Sequence, residues 1–144
     1  MSPPTAKALA TPRLGVSPGA AQALAGVLQR MGDVLGPGAI YSLVHYGAYE
    51  EGVALATQDR PQTAKDAVEA VARIMSLDAR LSGDQPLLVE FAHQPDIAFT
   101  SRGTVALLVG LLEGMLTVAV GSKVQANPVP TITPTGALRI ELTR

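Results

Sequence analysis

The stretch Thr104-Val105-Ala106-Leu107-Leu108-Val109-Gly110-Leu111-Leu112-Glu113-Gly114-Met115-Leu116-Thr117-Val118-Ala119-Val120 decides how this chain folds. From Val105 to Val120 its only charge is Glu113. That run is shorter than the ~20 apolar residues that span a bilayer, and a central carboxylate is costly there. A buried helix, Thr104 to about Gly121, is the better reading, capped by Thr100-Ser101. Gly110 and Gly114 lie four apart on one helical face, so another backbone can approach closely or a ligand can fill the space. Each interior glycine costs ~1 kcal/mol against alanine, so something must offset it. Ala48 and Gly52 repeat this spacing upstream. Glu113 is either solvated at the helix edge or a buried carboxylate that addresses a ligand.

Three helices precede this one. Ser17-Pro18 opens the first with a hydroxyl cap and proline at the first helical site. Leu24, Val27, Leu28, Met31, Val34 and Leu35 then recur at helical spacing as a stripe expected to be buried, and Gly36-Pro37-Gly38 stops it. The second runs from about Ala39 to Ala56, carries Tyr41, Tyr46 and Tyr49, and is apolar nearly all round. Such a helix is covered on several sides, by its own domain, a partner subunit, or both. The third, Thr63 to Leu81, places Ala64, Ala67, Val68, Val71, Ile74 and Met75 inward and Lys65, Asp66, Glu69 and Arg73 outward.

Period-two alternation then predicts strands. Leu87, Val89 and Phe91 alternate with Leu88, Glu90 and Ala92, and Ile97-Ala98-Phe99 reads as a short return. Val124 to Thr133 carries Pro128 and Pro130, which mark an edge strand, and Leu138, Ile140 and Leu142 form the last. The order ααα-ββ-α-ββ implies an α+β domain, helices on a small antiparallel sheet, over residues 17–144. Residues 1–16 hold Pro3, Pro4 and Pro12 and read as a flexible lead-in with no secretory signal.

Composition narrows the chemistry. The 144 residues are 47% hydrophobic but 3% aromatic, and 11 Lys+Arg against 12 Asp+Glu leave no footprint for nucleic acid. With no cysteine, disulfides, thiolate catalysis and cysteine-bound zinc are excluded. His45 sits in an apolar helix and reads first as a packing histidine. His93 precedes Gln94-Pro95-Asp96, a spacing too common to indicate a metal. No nucleophile elbow, P-loop or dinucleotide fingerprint occurs, so no catalytic residue, metal or cofactor is assigned.

The second helix (Gly38 to Tyr41 through Ala48 to Leu55), the Gly110-x-x-x-Gly114 helix and the closing hairpin from Val124 to Leu142 together resemble the 4-vinyl-reductase domain family. That family is related to hydrocarbon-binding archaeal proteins and transport-particle (TRAPP) subunits. The resemblance covers roughly Pro37 to Leu142. It implies a plait of helices on an antiparallel sheet, dimerisation through the first helices, and an apolar cavity between sheet and helices. Members sense or carry small hydrophobic molecules, or act as assembly platforms. Where metal-binding relatives use a Glu and hairpin cysteines, this chain has Asn127, Pro130 and Leu138, so the resemblance carries no zinc. The hairpin glycine is displaced, with Pro134 at its usual site and Gly136 two residues on. Covalent acylation of the kind seen in transport-particle subunits is also impossible without cysteine.

The expected function is therefore non-catalytic: a cytoplasmic, homodimeric module that binds or senses a small hydrophobic ligand. Its cavity is expected between the second helix, the fourth helix and the sheet. Tyr41, Tyr46, Phe91, Phe99, Leu112 and Met115 are the candidate walls, and His45, Tyr49 or His93 the polar contact. Ala48, Gly52, Gly110 and Gly114 are the close-packing positions. The alternatives are an interaction scaffold without ligand and, from the family name alone, an accessory enzyme of tetrapyrrole metabolism.

Overall fold

The computed structural model describes residues 18–127 and 129–144; the lead-in over 1–16, the Ser17 cap and Pro128 lie outside the described residues. Among the described residues, four helices and five strands follow in the order α1 (Pro18–Leu35), α2 (Pro37–Asp59), α3 (Ala64–Met75), β1 (Ala79–Ser82), β2 (Leu87–Phe91), α4 (Arg102–Val120), β3 (Gln125–Ala126), β4 (Thr131–Ile132) and β5 (Leu138–Thr143). The helices pack on an antiparallel sheet, an α+β fold. The strand order is β1-β2-β5-β3, with β4 also on β5.

Local chemistry sets the boundaries. Gly36 adopts φ 89° between α1 and α2, a conformation costly for any side chain, and Pro37 starts α2 with its φ already helical. Thr63 caps α3 by accepting the Asp66 N–H at 3.1 Å. Ser101 does the same for α4 from the Thr104 N–H, 3.4 Å.

Three expectations need correction. The third helix stops at Met75, not Leu81, because Ser76 turns left-handed (φ 56°) and the Leu77 N–H closes on the Ala72 carbonyl at 2.8 Å. The freed residues 79–82 form β1, which pairs Ala79 with Phe91 and Leu81 with Val89. Ile97 to Phe99 is not a strand. The Ile97 N–H bonds the Gln94 carbonyl in a turn, and Ile97 and Phe99 are apolar because the turn buries them. The closing edge strand splits into β3 and β4, each two residues long, both on the same side of β5.

Alternation in β2 and β5 sends Leu87, Val89, Phe91, Leu138, Ile140 and Leu142 to the core, where each contributes ~1.5–3 kcal/mol. On the outer face Glu90 bridges Arg80 at 3.0 Å and Arg139 at 2.6 Å. One core joins this sheet face to α3, α4 and the inner side of α2. Helix α4 is apolar enough to cross a membrane, with mean hydropathy 2.0, yet 67% of that window is buried within the fold.

The stripe on α1 is not buried as expected. Leu28 alone is covered, against Gly103 of α4, while Leu24, Val27, Met31, Val34 and Leu35 remain exposed. The helix touches the rest of the fold by one edge, so the flanks of its stripe face outward.

Candidate binding site

The crossing of α2 over α4 organises the site. A Cβ on Gly110 would meet the Ala48 Cβ at 2.6 Å and the His45 carbonyl oxygen at 2.7 Å. On Gly114 it would strike the Tyr49 carbonyl oxygen, and on Gly52 it would lie 2.8 Å from the Leu111 carbonyl oxygen. The small residues thus let the two backbones touch along this crossing. Phe91, Leu112 and Met115 are fully buried core residues.

That close approach also brings two polar side chains together. His45 Nε2 lies 2.6 Å from Glu113 Oε1, and Glu113 Oε2 accepts the Ala126 N–H at 2.7 Å. Glu113 is 8% exposed, so the buried carboxylate has partners on α2 and β3 rather than water. Tyr41, one turn before His45, stacks on its ring with centroids 5.8 Å apart and planes 10° from parallel. Burial holds the Tyr41 phenol above its ordinary pKa; the negative charge of Glu113 adds to this and the Arg102 guanidinium opposes it.

Beside this cluster an open groove of about 410 Å³ runs between the start of α2, the start of α4 and the β4–β5 edge. Tyr41, Phe99, Thr100, Arg102, Val105, Val129, Pro130, Ile132 and Leu138 line it. A smaller cleft of about 280 Å³ adjoins it between α1 and the 100–103 turn, and includes Leu28, Asp33, Ile40 and Arg102. Buried Thr104, in the first turn of α4, has a hydroxyl without a hydrogen-bond partner among the described residues.

Of the expected pocket residues, the structure brings Tyr41 and Phe99 into one groove, with His45 stacked behind Tyr41. Tyr49 is half-buried, its backbone pressed on Gly110 and Gly114. Tyr46 is 69% exposed and projects outward. His93 is exposed, lies against Gly136, and shares a cleft with Asp78, Arg80 and Glu90. Sequence reasoning misses the groove residues Arg102, Val105, Val129, Pro130, Ile132 and Leu138. A readable signal exists for Arg102: a cation at a helix start with no acid in the first turn.

Among the described residues no three His, Cys, Asp or Glu side chains gather as a metal set. Asn127 accepts the Val129 N–H at 3.0 Å and Leu138 packs in the core, and neither of these side chains is a zinc ligand.

No protein-family model matches the sequence, that of the 4-vinyl-reductase domain included, and no curated protein matches it. Among solved structures the chain is similar to subunit 3 of a trafficking protein particle complex from Naegleria fowleri, covalently bound to palmitic acid. The TM-score is 0.57 at 15% sequence identity, over 85% of this chain and 93% of that one. The fold is therefore like that of a TRAPP subunit.

Proposed function

We propose that this chain is a non-catalytic interaction module that works as a cytoplasmic homodimer, with α1 and the outer side of α2 against a second copy. The observation that carries the reading is the apolar surface on these helices. Val27, Val34, Leu43 and Tyr46 are 52%, 84%, 61% and 69% exposed, and Leu24, Met31 and Leu35 join them. Monomeric proteins seldom leave such residues contiguous and uncovered. Spaced at helical intervals, those on α1 form a ready-made seam for a partner helix. Sedimentation equilibrium at micromolar concentration tests this. Twice the mass of one chain is expected, and a clean monomer overturns it.

A second reading is favoured by the groove. Its walls of Phe99, Val105, Val129, Ile132 and Leu138 suit a small hydrophobic molecule, and its ~410 Å³ falls in the ~300–1,000 Å³ range of ligand sites. The similar trafficking subunit carries a covalent fatty acid. This chain has no cysteine, so a thioester is excluded and a guest here is held by contacts alone. The two readings are compatible, since the groove and the α1 stripe are different surfaces. Native mass spectrometry of the gently purified protein is the test. A co-purified small apolar molecule is expected, and its loss in Ile132→Asp would assign it to the groove.

A further inference from the structure

We infer that the groove accepts a free amphipathic anion, an apolar chain or ring ending in one carboxylate, with the charge on Arg102 and the tail between Phe99, Val105 and Ile132. The inference rests on the small-ligand reading and adds the chemistry of the ligand's polar end.

Arg102 is the first residue of α4. A cation there opposes the positive end of the helix macrodipole, and no acidic residue in the first turn offsets it. Helix stability therefore does not explain the residue, whose place is at the rim of the groove. Arg80, Arg139 and Arg144 bridge carboxylates; exposed Arg102, like Arg30, Arg60 and Arg73, has no side-chain hydrogen-bond or ion-pair partner among the described residues, and of these four it alone lines the groove. Asp33 lines the adjoining cleft without pairing with it. The Glu113 carboxylate is committed to His45 and Ala126.

The groove's polar end is thus rich in donors. The guanidinium has five N–H groups and accepts nothing. The Tyr41 phenol lines the same groove, and its O–H has no hydrogen-bond partner among the described residues. Two unpartnered donors beside an apolar trough select a ligand with an acceptor head, and the positive charge selects an anion over an alcohol or amide. A guanidinium binds a carboxylate through two parallel hydrogen bonds, which also fixes the direction of the tail.

Calorimetric titration of the full chain with decanoate, 1-decanol and decyltrimethylammonium, each below its aggregation limit, tests the assignment. Decanoate is expected to bind one per chain, about tenfold or more tighter than decanol, and the cation not at all. Arg102→Ala should weaken decanoate about tenfold and leave decanol unchanged, Arg102→Lys should recover part of the loss, and Ile132→Asp should abolish both. Circular dichroism of each variant confirms folding. Equal affinity for decanoate and decanol, or an unchanged Arg102→Ala, overturns the anion and leaves the apolar-ligand reading standing. Absence of saturable binding by every probe overturns both. Association with phosphatidylglycerol vesicles but not with monomeric decanoate overturns the free amphiphile in favour of a lipid surface.

Discussion

Glu113 on α4 and His45 on α2 meet with Oε1 and Nε2 2.6 Å apart, while the same carboxylate accepts the Ala126 N–H through Oε2. Three elements distant in sequence are joined at one side chain. Glu113→Leu strands both the His45 ring nitrogen and the Ala126 N–H, and should cost about 2–3 kcal/mol. His45→Phe leaves the Ala126 bond intact, and His45 is 32% exposed, so it should cost about 1 kcal/mol. Urea unfolding of both variants measures the difference; equal losses would show that the β3 bond contributes nothing.

The α2–α4 crossing tolerates no added atoms. Gly114→Ala places a methyl on the Tyr49 carbonyl and 2.9 Å from the Val53 nitrogen, both rigid backbone. A loss of about 2–4 kcal/mol is expected from overpacking and backbone shift. Gly38, also in α2, has open space where a methyl would go, with no neighbouring atom within 4 Å, and Gly38→Ala should change stability by less than about 1 kcal/mol. Thermal melts of the pair separate close approach from helix propensity.

Val34 is the most exposed large apolar side chain on α1. A charge there has no folded-state partner to lose, so Val34→Glu should leave the melting temperature of the isolated fold nearly unchanged. In a dimer seam it would bury an unpaired carboxylate and weaken association by about tenfold or more. Sedimentation of Val34→Glu against the parent chain reads this directly.

Hydrogen bonds from Arg139, with Arg80 in support, hold the Glu90 carboxyl below its usual pKa. The folded value lies under the unfolded one, so the stabilisation is complete above the unfolded pKa and is lost as pH falls through the folded value. Glu90→Gln should therefore be less stable than the parent near neutral pH, and the gap should close on acidification. The site is solvent-facing, so added salt at about 0.5 M (~4 Å Debye length) should also narrow it. Denaturant midpoints from about pH 7 to about pH 3 provide the check.

For Tyr41 the causes of the shift point in different directions and can be separated. Glu113→Gln removes a negative charge and should lower the phenol's pKa, whereas Arg102→Ala removes a positive one and should raise it further. Absorbance titration of the tyrosinate, with Tyr41→Phe as subtraction control, follows both. Because the folded value is raised, this group's contribution to stability holds below the ordinary tyrosine pKa and is lost as pH rises through the raised one.

Much of the architecture is legible from periodicity. The inner stripe of α3 (Ala67, Val68, Val71, Ile74, Met75) and the alternation of β2 and β5 are visible because one buried face imposes a 3.6 or a 2.0 period. Residues 77–82 mislead a periodic reading because Leu77 and Leu81 keep helical spacing, and nothing local announces that Ser76 will turn left-handed. Ile97 and Phe99 show the complementary error: short apolar runs report burial, not conformation.

By itself the sequence determined the α+β class, the exclusion of thiol chemistry, and the small-residue faces at Ala48/Gly52 and Gly110/Gly114. Only the tertiary structure decided that His45 pairs with Glu113 across 68 residues, that Arg102 stands beside an apolar groove, and that most of the α1 stripe stays uncovered. The reason is physical. A local pattern records which face of a helix is apolar, since that follows from the geometry of one segment. What lies against that face, and which polar groups meet across it, depends on how separate segments pack.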